Sequence, residues 1–198
     1  MKIRFIINPI AGTGKQKEIE KLIEKDISFS YDVFYTRKAG DATLLAKEAA
    51  IDEKIDVVIA VGGDGTVNEC AKTLVNSNTA LGVIPSGSGN GFAFHIGMKK
   101  KIADAIIQLN NCTISTIDSC TANENVFVNV SGIGFDAHIS NLFSNLKKRG
   151  LFNYIKLITK EVFAYESTKY KLQFEGKVME TKAYLIAFAN ASQYGNDF

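Results

Sequence analysis

Apolar runs and amphipathic segments alternate through the first 110 residues of the chain. Short runs rich in valine and isoleucine predict strands at 3–7, 31–35, 56–61 and 80–84. Apolar residues at helical spacing predict helices at 16–25, 42–50, 67–75 and 101–109. Asp41 stands at the expected N-cap of the second helix, and residues 66–69 fit a capping box. Continuous apolar strands that alternate with helices are typical of a parallel sheet covered on both faces, so we predict an α/β fold.

The pattern changes after about residue 112. Further strands are predicted at 113–118, 125–130, 170–174 and 181–189, and a helical stretch with a break near Gly150 is predicted at 138–164. We therefore divide the chain into a parallel-sheet domain with flanking helices, residues 1–118, and a mainly antiparallel, β-rich domain, residues 119–198. We expect the second domain to be incomplete and the chain to be a C-terminally truncated fragment, because the polar loop after the last strand has no further strand to return to.

Cysteine usage and charge exclude several classes of protein. The three cysteines, Cys70, Cys112 and Cys120, are odd in number and form no C-x-x-C pair, which predicts reduced thiols in a cytoplasmic protein. A formal net charge of +2 gives no strong attraction to nucleic acid, so we predict no nucleic-acid partner. No apolar run in the sequence approaches the roughly 18 residues that span a bilayer.

Half of the sixteen glycines fall in three short segments that each follow a predicted strand. These glycines are Gly12 and Gly14; Gly62, Gly63 and Gly65; and Gly87, Gly89 and Gly91. Parallel strands end at one edge of a sheet, and glycine lets backbone N–H groups approach a polyphosphate there. A tight strand-to-helix turn would explain any one of these segments. Three such segments at one edge favour a phosphate site.

Two common phosphate motifs are excluded, and one acidic residue points to different chemistry. A Walker A loop that ends at Gly14-Lys15 would need glycine where Pro9 stands, and a dinucleotide fingerprint from Gly12 would need glycine where Lys17 stands. Asp64 lies inside the second glycine segment. Its carboxylate can bind Mg²⁺ or accept a proton from a hydroxyl, or it can hold a turn.

Four groups of residues, in this order, resemble the catalytic domain of diacylglycerol and sphingosine kinases. They are Asn8-Pro9 with Gly12 and Gly14; Gly62-Gly63-Asp64-Gly65-Thr66 with Asn68-Glu69; Pro85-Ser86-Gly87-Ser88-Gly89-Asn90; and Ser131-Gly132-Ile133-Gly134-Phe135-Asp136-Ala137. The resemblance implies that residues 1–118 bind nucleotide and residues 119–198 bind lipid. The pentapeptide also occurs in NAD kinases, so a NAD kinase is an alternative. A nucleotide- or lipid-binding module without catalysis is another.

The resemblance also implies roles for individual residues. Those placed at the ATP site are Asn8, Pro9, Gly12, Thr36, Gly40, Gly62, Gly63, Asp64, Gly65, Thr66, Glu69, Ser86, Gly87, Ser88 and Asn90. Asp64 would be the catalytic residue and would lie near Mg²⁺ or the acceptor hydroxyl. Asp136 and His138 would bind the lipid substrate, and the basic residues 147–149 would meet phosphate or an anionic membrane.

The implied function is the transfer of the γ-phosphoryl group of ATP to a hydroxyl of a lipid alcohol. The implied location is cytoplasmic, in peripheral contact with the inner face of the membrane. Two features depart from the family pattern: Gly91 follows Asn90 where many members have aspartate, and an Asp-Gly segment of the family would lie beyond residue 198. We therefore expect this chain alone to bind nucleotide and to turn over poorly or not at all. The sequence leaves open which lipid is used and whether the protein is a monomer or a homodimer.

Overall fold

The structure, a computed structural model, describes residues 1–12, 16–52, 54–144 and 151–192. The chain forms two compact units, of which the first comprises Met1–Asn129 with the stretch from Asn190, and the second comprises Val130–Ala189. Gly14, Lys15, Gly150 and the basic residues 147–149, which figure in the sequence-based predictions, lie outside the described residues.

A four-stranded parallel sheet forms the centre of the first unit. Its strands are β1 (Lys2–Ile7), β2 (Ser30–Tyr35), β3 (Val57–Gly62) and β4 (Ala80–Pro85), in the order β2-β1-β3-β4. The helices are α1 (Gln16–Asp26), α2 (Asp41–Ile51), α3 (Asp64–Leu74), α4 (Gly91–His95) and α5 (Ile102–Leu109). The valine-rich strand β3 is buried at all six positions. A strand buried in this way needs cover on both faces, as predicted.

The strand order creates a switch point between β1 and β3. The chain leaves β1 toward β2 and leaves β3 toward β4, so the two connections run in opposite directions across the sheet. Because parallel crossovers are right-handed, α1 and α3 then lie on opposite faces. Ligands of such sheets bind in the crevice at the carboxyl ends of the two strands where this reversal occurs.

A short antiparallel pair completes the first unit. It consists of β5 (Cys120–Ala122) and β6 (Asn125–Phe127). The strand predicted at 113–118 is wrong: the whole segment is exposed and, within the described residues, pairs with no other strand. Residues of strand-forming type do not make a strand by themselves, because the ladder also needs a partner.

The second unit contains small antiparallel pairs and two helices. Its elements are β7 (Val130–Gly134), α6 (Phe135–Ser144), α7 (Leu151–Glu161), β8 (Thr168–Phe174), β9 (Lys177–Ala183) and β10 (Leu185–Ala189). The strand predicted at 170–174 corresponds to β8, and the one predicted at 181–189 is divided between β9 and β10. Strands β8 and β9 form a hairpin, whereas β10 separates from it at Tyr184 and pairs with β7. The α/β prediction with a mainly antiparallel second part is thereby confirmed. None of the helices in the described residues is long and apolar enough to cross a membrane.

Both predicted helix caps are wrong. The N-cap of α2 is Gly40, with φ of +89°, and Asp41 is the first helical residue. The Asp41 carboxylate instead accepts the backbone N–H groups of Arg37 and Lys38. Helix α3 begins at Asp64, three residues earlier than predicted, so residues 66–69 lie inside the helix and form no capping box.

Candidate active site

Three loops follow the carboxyl ends of β1, β3 and β4 and lie against one another. They are loop 1 (Asn8–Gly12), loop 2 (Gly62–Gly65) and loop 3 (Ser86–Asn90). A Cβ atom on Gly12, where φ is +68°, would lie 2.2 Å from the carbonyl oxygen of Ser86. One on Gly87 would lie 2.4 Å from the Cα atom of Gly63. Because only glycine permits these approaches, the three loops form one continuous rim at the edge of the sheet.

Asp64 joins loop 2 to loop 3. Its carboxylate accepts the backbone N–H of Asn90 at 2.8 Å and that of Phe92 at 3.3 Å. These are the N-cap residue and the second residue of α4, so Asp64 caps this short helix from across the rim. The backbone that Asp64 holds therefore belongs to another loop and not to its own turn.

The side chain of Asn90 closes loop 3. Its Oδ1 accepts the Gly87 N–H at 2.8 Å, and its Nδ2 donates to the Gly87 carbonyl at 2.8 Å. Asn90 has φ of +63°, a left-handed conformation that asparagine tolerates better than most residues. Ser88 is exposed at the tip of the same loop. A direct contact of Asn90 or Ser88 with nucleotide stays a prediction.

Asn8 attaches loop 1 to the first turn of α3. Its Nδ2 donates to the hydroxyl of Thr66 at 3.1 Å, and its Oδ1 accepts the Ile10 N–H at 3.1 Å. Thr66 is buried and packs over Gly62, where a Cβ would lie 2.4 Å from the Thr66 hydroxyl oxygen. Pro9 follows Asn8 in loop 1 and is half-buried. Asn8, Gly62 and Thr66 therefore fix the position of loop 1 against the start of the helix.

The start of α3 offers backbone donors to the rim. The Gly63 carbonyl accepts the N–H groups of Thr66 and Val67 at 3.0 and 3.1 Å. The N–H groups of Asp64 and Gly65 donate to no acceptor within the described residues. Nothing lies within 4 Å of a Cβ position on Gly65, so this side of the loop is open. Unpaired amides and the positive end of a helix dipole attract phosphate.

The turn between β2 and α2 continues this edge beyond β1. The Thr36 N–H donates to the Ile7 carbonyl at 2.9 Å, which extends the sheet by one residue. Asp41 then holds the turn, and the hydrogen bond from the Arg37 N–H is the main reason that its pKa lies below the ordinary value. The Gly40 N–H donates to the Glu69 carboxylate at 3.0 Å. Thr36, Gly40 and Glu69 are thus brought to the same edge as the three loops.

Asp64 by itself can supply only part of the coordination of a metal ion. A carboxylate has about four lone-pair positions, and two of those on Asp64 accept backbone N–H groups. Within the described residues no group of three or more histidine, cysteine, aspartate or glutamate side chains is arranged to hold a metal. In nucleotide sites Mg²⁺ is commonly held by one or two carboxylates, with phosphate and water oxygens completing its coordination. One half-buried carboxylate beside open amides is compatible with that arrangement.

A cavity of about 460 Å³ lies beside loops 1 and 3. Ile19, Leu22 and Ile102 give it apolar lining, and its charged lining residues are Lys100, Lys101 and Glu18, two cations and one anion. Both lysines thus stand near the rim. Positive charge here favours an anionic ligand at the loops.

Asp136 and His138 belong to the second unit. His138 Nε2 lies 2.9 Å from Glu161 Oε2, and the His138 ring packs on Tyr165 with centroids 5.2 Å apart. The hydrogen bond with His138 is the main reason that the pKa of Glu161 is lowered. Burial raises the pKa of Asp136. Glu161 could not be found from the sequence, because no local motif marks it and its partner lies 23 residues away.

Comparison with known proteins identifies the family. The model of the diacylglycerol kinase catalytic domain matches residues 2–122. A diacylglycerol kinase of Bacillus subtilis (strain 168) is 32% identical over 96% of this chain and 66% of its own length. One from Staphylococcus aureus (strain bovine RF122 / ET3-1) is 29% identical over 93% of this chain and 61% of its own length.

A solved structure agrees with this assignment. The crystal structure of a diacylglycerol kinase from Bacillus anthracis str. Sterne superposes with a TM-score of 0.76 at 29% identity, covering 96% of this chain and 64% of that one. The chain thus spans slightly less than two thirds of the length of these relatives. On the family match and the rim of glycine loops together, the chain belongs to the diacylglycerol kinase catalytic domain family.

Proposed function

We propose that the protein transfers the γ-phosphoryl group of ATP to a hydroxyl of a lipid alcohol, such as diacylglycerol or a sphingoid base. The observation that carries the proposal is the single rim formed by loops 1, 2 and 3, with the open start of α3 beside one carboxylate. Membership of a kinase family implies ATP as the phosphoryl donor. The names of the relatives favour a lipid acceptor over NAD.

The backbone of loop 2 would bind the polyphosphate. The N–H groups of Asp64 and Gly65 point from the first turn of α3 and have no other acceptor among the described residues. Phosphoryl transfer depends mainly on positioning and on neutralising charge, which fixed amides supply without reorganisation. Asn8 and Thr66 keep loop 1 against this turn and so limit the space in which the phosphates can move.

Asp64 would act at the reacting end of the nucleotide. Bound Mg²⁺ supplies charge neutralisation for the transferring group. The hydrogen bonds from Asn90 and Phe92 fix the Asp64 carboxylate, and its remaining lone pairs are available to a metal or to the proton of an acceptor hydroxyl. Asp64 is therefore proposed as the catalytic residue.

Asp136 and His138 are proposed to contact the lipid acceptor. His138 is held by Glu161, and burial keeps Asp136 easier to protonate than an exposed aspartate. A hydrogen-bonded polar group beside an aromatic ring, as His138 is beside Tyr165, suits a lipid alcohol, whose hydroxyl needs a partner and whose chains need apolar contact. We further propose a cytoplasmic protein in peripheral contact with the inner face of the membrane.

The proposal is tested by offering several acceptors at once. The protein is incubated with γ-labelled ATP, Mg²⁺, diacylglycerol, a sphingoid base and NAD, and the products are separated by chromatography. We expect label in one lipid product. Label in NADP alone would identify a NAD kinase. ATP binding without any labelled product would identify a binding module, provided that a protein as long as the relatives also forms no labelled product.

The role of Asp64 is tested by Asp64→Asn, with Asp104→Asn on the exposed side of α5 as a matched control. Asparagine keeps one acceptor for loop 3 and loses the charge, so we expect transfer to fall at least roughly a hundredfold. Asp104→Asn should leave transfer unchanged. Circular dichroism checks that both variants fold. Transfer by Asp64→Asn at the parental rate would remove Asp64 from the mechanism.

A further inference from the structure

We propose that His95 is a proton-sensitive latch, whose neutral ring holds the chain that follows β10 against helix α4 and whose protonated ring releases it. The held stretch, Asn190–Ser192, is named the return segment, because the chain re-enters the first unit there after the second unit. The latch itself goes beyond the proposed function and needs no substrate.

The latch consists of one ring nitrogen and two groups of Ser192. The Ser192 N–H donates to His95 Nδ1 at 3.1 Å, and the Ser192 hydroxyl oxygen lies 3.0 Å from the same nitrogen. A backbone N–H can only donate, so Nδ1 must offer a lone pair and carry no proton. Ser192 has no other hydrogen-bond partner among the described residues. The neutral ring is therefore the form that holds the return segment.

Helix α4 gives the ring of His95 a fixed support. His95 is the last residue of α4, and its ring centroid lies 6.3 Å from that of Phe92, which is buried in the core. At the other end of the helix, Asp64 accepts the N–H groups of Asn90 and Phe92. The latch thus joins the return segment to a helix that is held both by the core and by the rim.

The start of the return segment is held by contacts that do not titrate. The Asn190 N–H donates to the Asn129 carbonyl at 2.9 Å, and Asn190 Nδ2 donates to the Asp118 carbonyl at 2.8 Å. Neither an amide side chain nor a backbone carbonyl changes its charge between about pH 5 and about pH 8. Protonation of His95 would therefore free Ser192 and leave Asn190 in place as the pivot.

No carboxylate compensates for a proton on His95. The charged residues of α3, β4 and the stretch after α4 are Asp64, Glu69, Lys72, Lys99, Lys100 and Lys101, and β4 carries none of them. In the described part of the chain, no carboxylate forms an ion pair with His95. His138 differs, because Glu161 Oε2 lies 2.9 Å from its Nε2. Protonation should therefore tighten the contact of His138 and open that of His95.

The latch bears on the unit that is proposed to bind the acceptor. The return segment continues directly from β10, which pairs with β7, and β7 runs without a break into α6 with Asp136 and His138. With the latch open, hydrogen bonds within the described residues fix the return segment at Asn190 alone. Acid would thus weaken the support of the ladder that leads to these residues, a consequence that rests on the proposed function.

The test measures amide exchange of Ser192 by NMR as a protection factor, which compares each rate with the intrinsic rate at the same pH. Lowering the pH from about 8 to about 5 should lower this factor about fivefold in the parent, the loss of one hydrogen bond. His95→Asn places an acceptor oxygen one bond beyond Cγ, where Nδ1 stands, and cannot titrate, so Ser192 should stay protected at both pH values. His95→Ala should show the low value at both.

His138→Gln is the matched control, because it changes the other histidine of the chain and keeps a donor for Glu161. It should retain the parental pH response of Ser192. Amides of the buried strand β3 should stay protected in every variant, which shows that each one folds. Long-range spectra of the imidazole nitrogens should place the proton of neutral His95 on Nε2.

Three results would overturn the inference: a proton on Nδ1 of neutral His95, equal protection of Ser192 at both pH values in the parent, or a pH response that persists in His95→Asn. Loss of the response in His138→Gln would assign it to the other histidine and would overturn the inference as well. None of these measurements uses ATP or a lipid. Failure of the latch therefore leaves the proposed function standing, and failure of the transfer assay leaves the latch.

Discussion

The two units of the chain bury their apolar residues to very different extents. In the first unit one core joins the sheet to its helices, and β3 is buried at every position. Among the described residues of the second unit, the buried apolar side chains are Phe135 and Ile139. A site that must hold loops within fractions of an ångström needs rigid support, so the phosphate rim stands on the unit with the larger core.

The second unit relies on aromatic and polar contacts instead. Phe135, Tyr165 and Tyr184 pack with ring centroids 4.8 to 5.5 Å apart, and the Tyr184 hydroxyl donates to the Val162 carbonyl. Its sheets contain two strands each, and a two-stranded sheet is only marginally stable by itself. The difference suggests that the second unit can change shape more readily than the first, which suits a region proposed to admit lipids of varied shape.

Amide hydrogen exchange should show the largest difference between the two units. Amides of β3 should exchange only through global unfolding of the first unit, whereas those of the β8–β9 hairpin should exchange through local opening. Opening free energies range from about zero to the full stability, so we expect β3 to exchange at least roughly a thousandfold more slowly. Mass spectrometry of peptides covering Val57–Gly62 and Thr168–Ala183 measures the ratio. Equal protection would mean that the two units unfold as one.

A matched pair of phenylalanine truncations gives the next largest effect. Phe5 is fully buried in β1, and its ring packs edge-on against Tyr31 at 5.7 Å. Phe5→Ala should lower the free energy of unfolding by about 3–5 kcal/mol. Phe163, at 92% exposure in the second unit, serves as control. Phe163→Ala should change the free energy of unfolding by less than about 0.5 kcal/mol. Urea unfolding followed by circular dichroism measures both; similar losses would contradict the assigned burial.

How far the sequence predicts the fold also differs between the units. The parallel sheet could be predicted because each strand carries its own signal, a run such as Val57–Val61 that is apolar throughout and must be buried on both faces. The pairing of β10 with β7 could not, because residues 183–189 form one apolar run that continues from β9 into β10. The run is divided at Tyr184 only by pairing, because the residues before Tyr184 pair with β8 and those after it pair with β7.

Prediction of the site from the sequence is limited in the same way, by contacts between distant segments. The glycine loops were predictable because glycine marks the turns and parallel strands share one edge. Helix α4 was not, because it has five residues and its cap, Asp64, lies 26 residues before Asn90. Residues 66–69 matched a local capping motif, yet Thr66 and Glu69 bind Asn8 and Gly40 instead. The helix begins earlier, at Asp64, and contacts with distant segments use both side chains instead.

The ion pair between Arg4 and Asp32, at the edge of the core of the first unit, gives a smaller expected effect on stability. Arg4 in β1 is 7% exposed, and its guanidinium binds the Asp32 carboxylate at 3.0 and 3.3 Å. Asp32→Asn would leave a buried cation without its charge partner, at a cost of about 1–3 kcal/mol in the free energy of unfolding. Lys2 is the control: its amine also lies 3.5 Å from Asp32 but is more exposed, so Lys2→Gln should cost less than about 1 kcal/mol. Equal costs would mean that burial of Arg4 does not matter.

The smallest expected effect concerns pH and the contact between α6 and α7. The hydrogen bond with His138, aided by Lys160, lowers the pKa of Glu161 below its ordinary value of 4.5. A carboxylate with a lowered pKa in the folded state stabilises that state above its unfolded pKa, and the contribution is lost as pH falls through the folded value. Lowering the pH from about 5 to about 3 should therefore lower the protection factors of the α7 amides, which compare each exchange rate with the intrinsic rate at the same pH. Glu161→Gln should remove that dependence, and Glu166→Gln, at an exposed position, should not. An unchanged pH response in Glu161→Gln would show that other groups hold the second unit together.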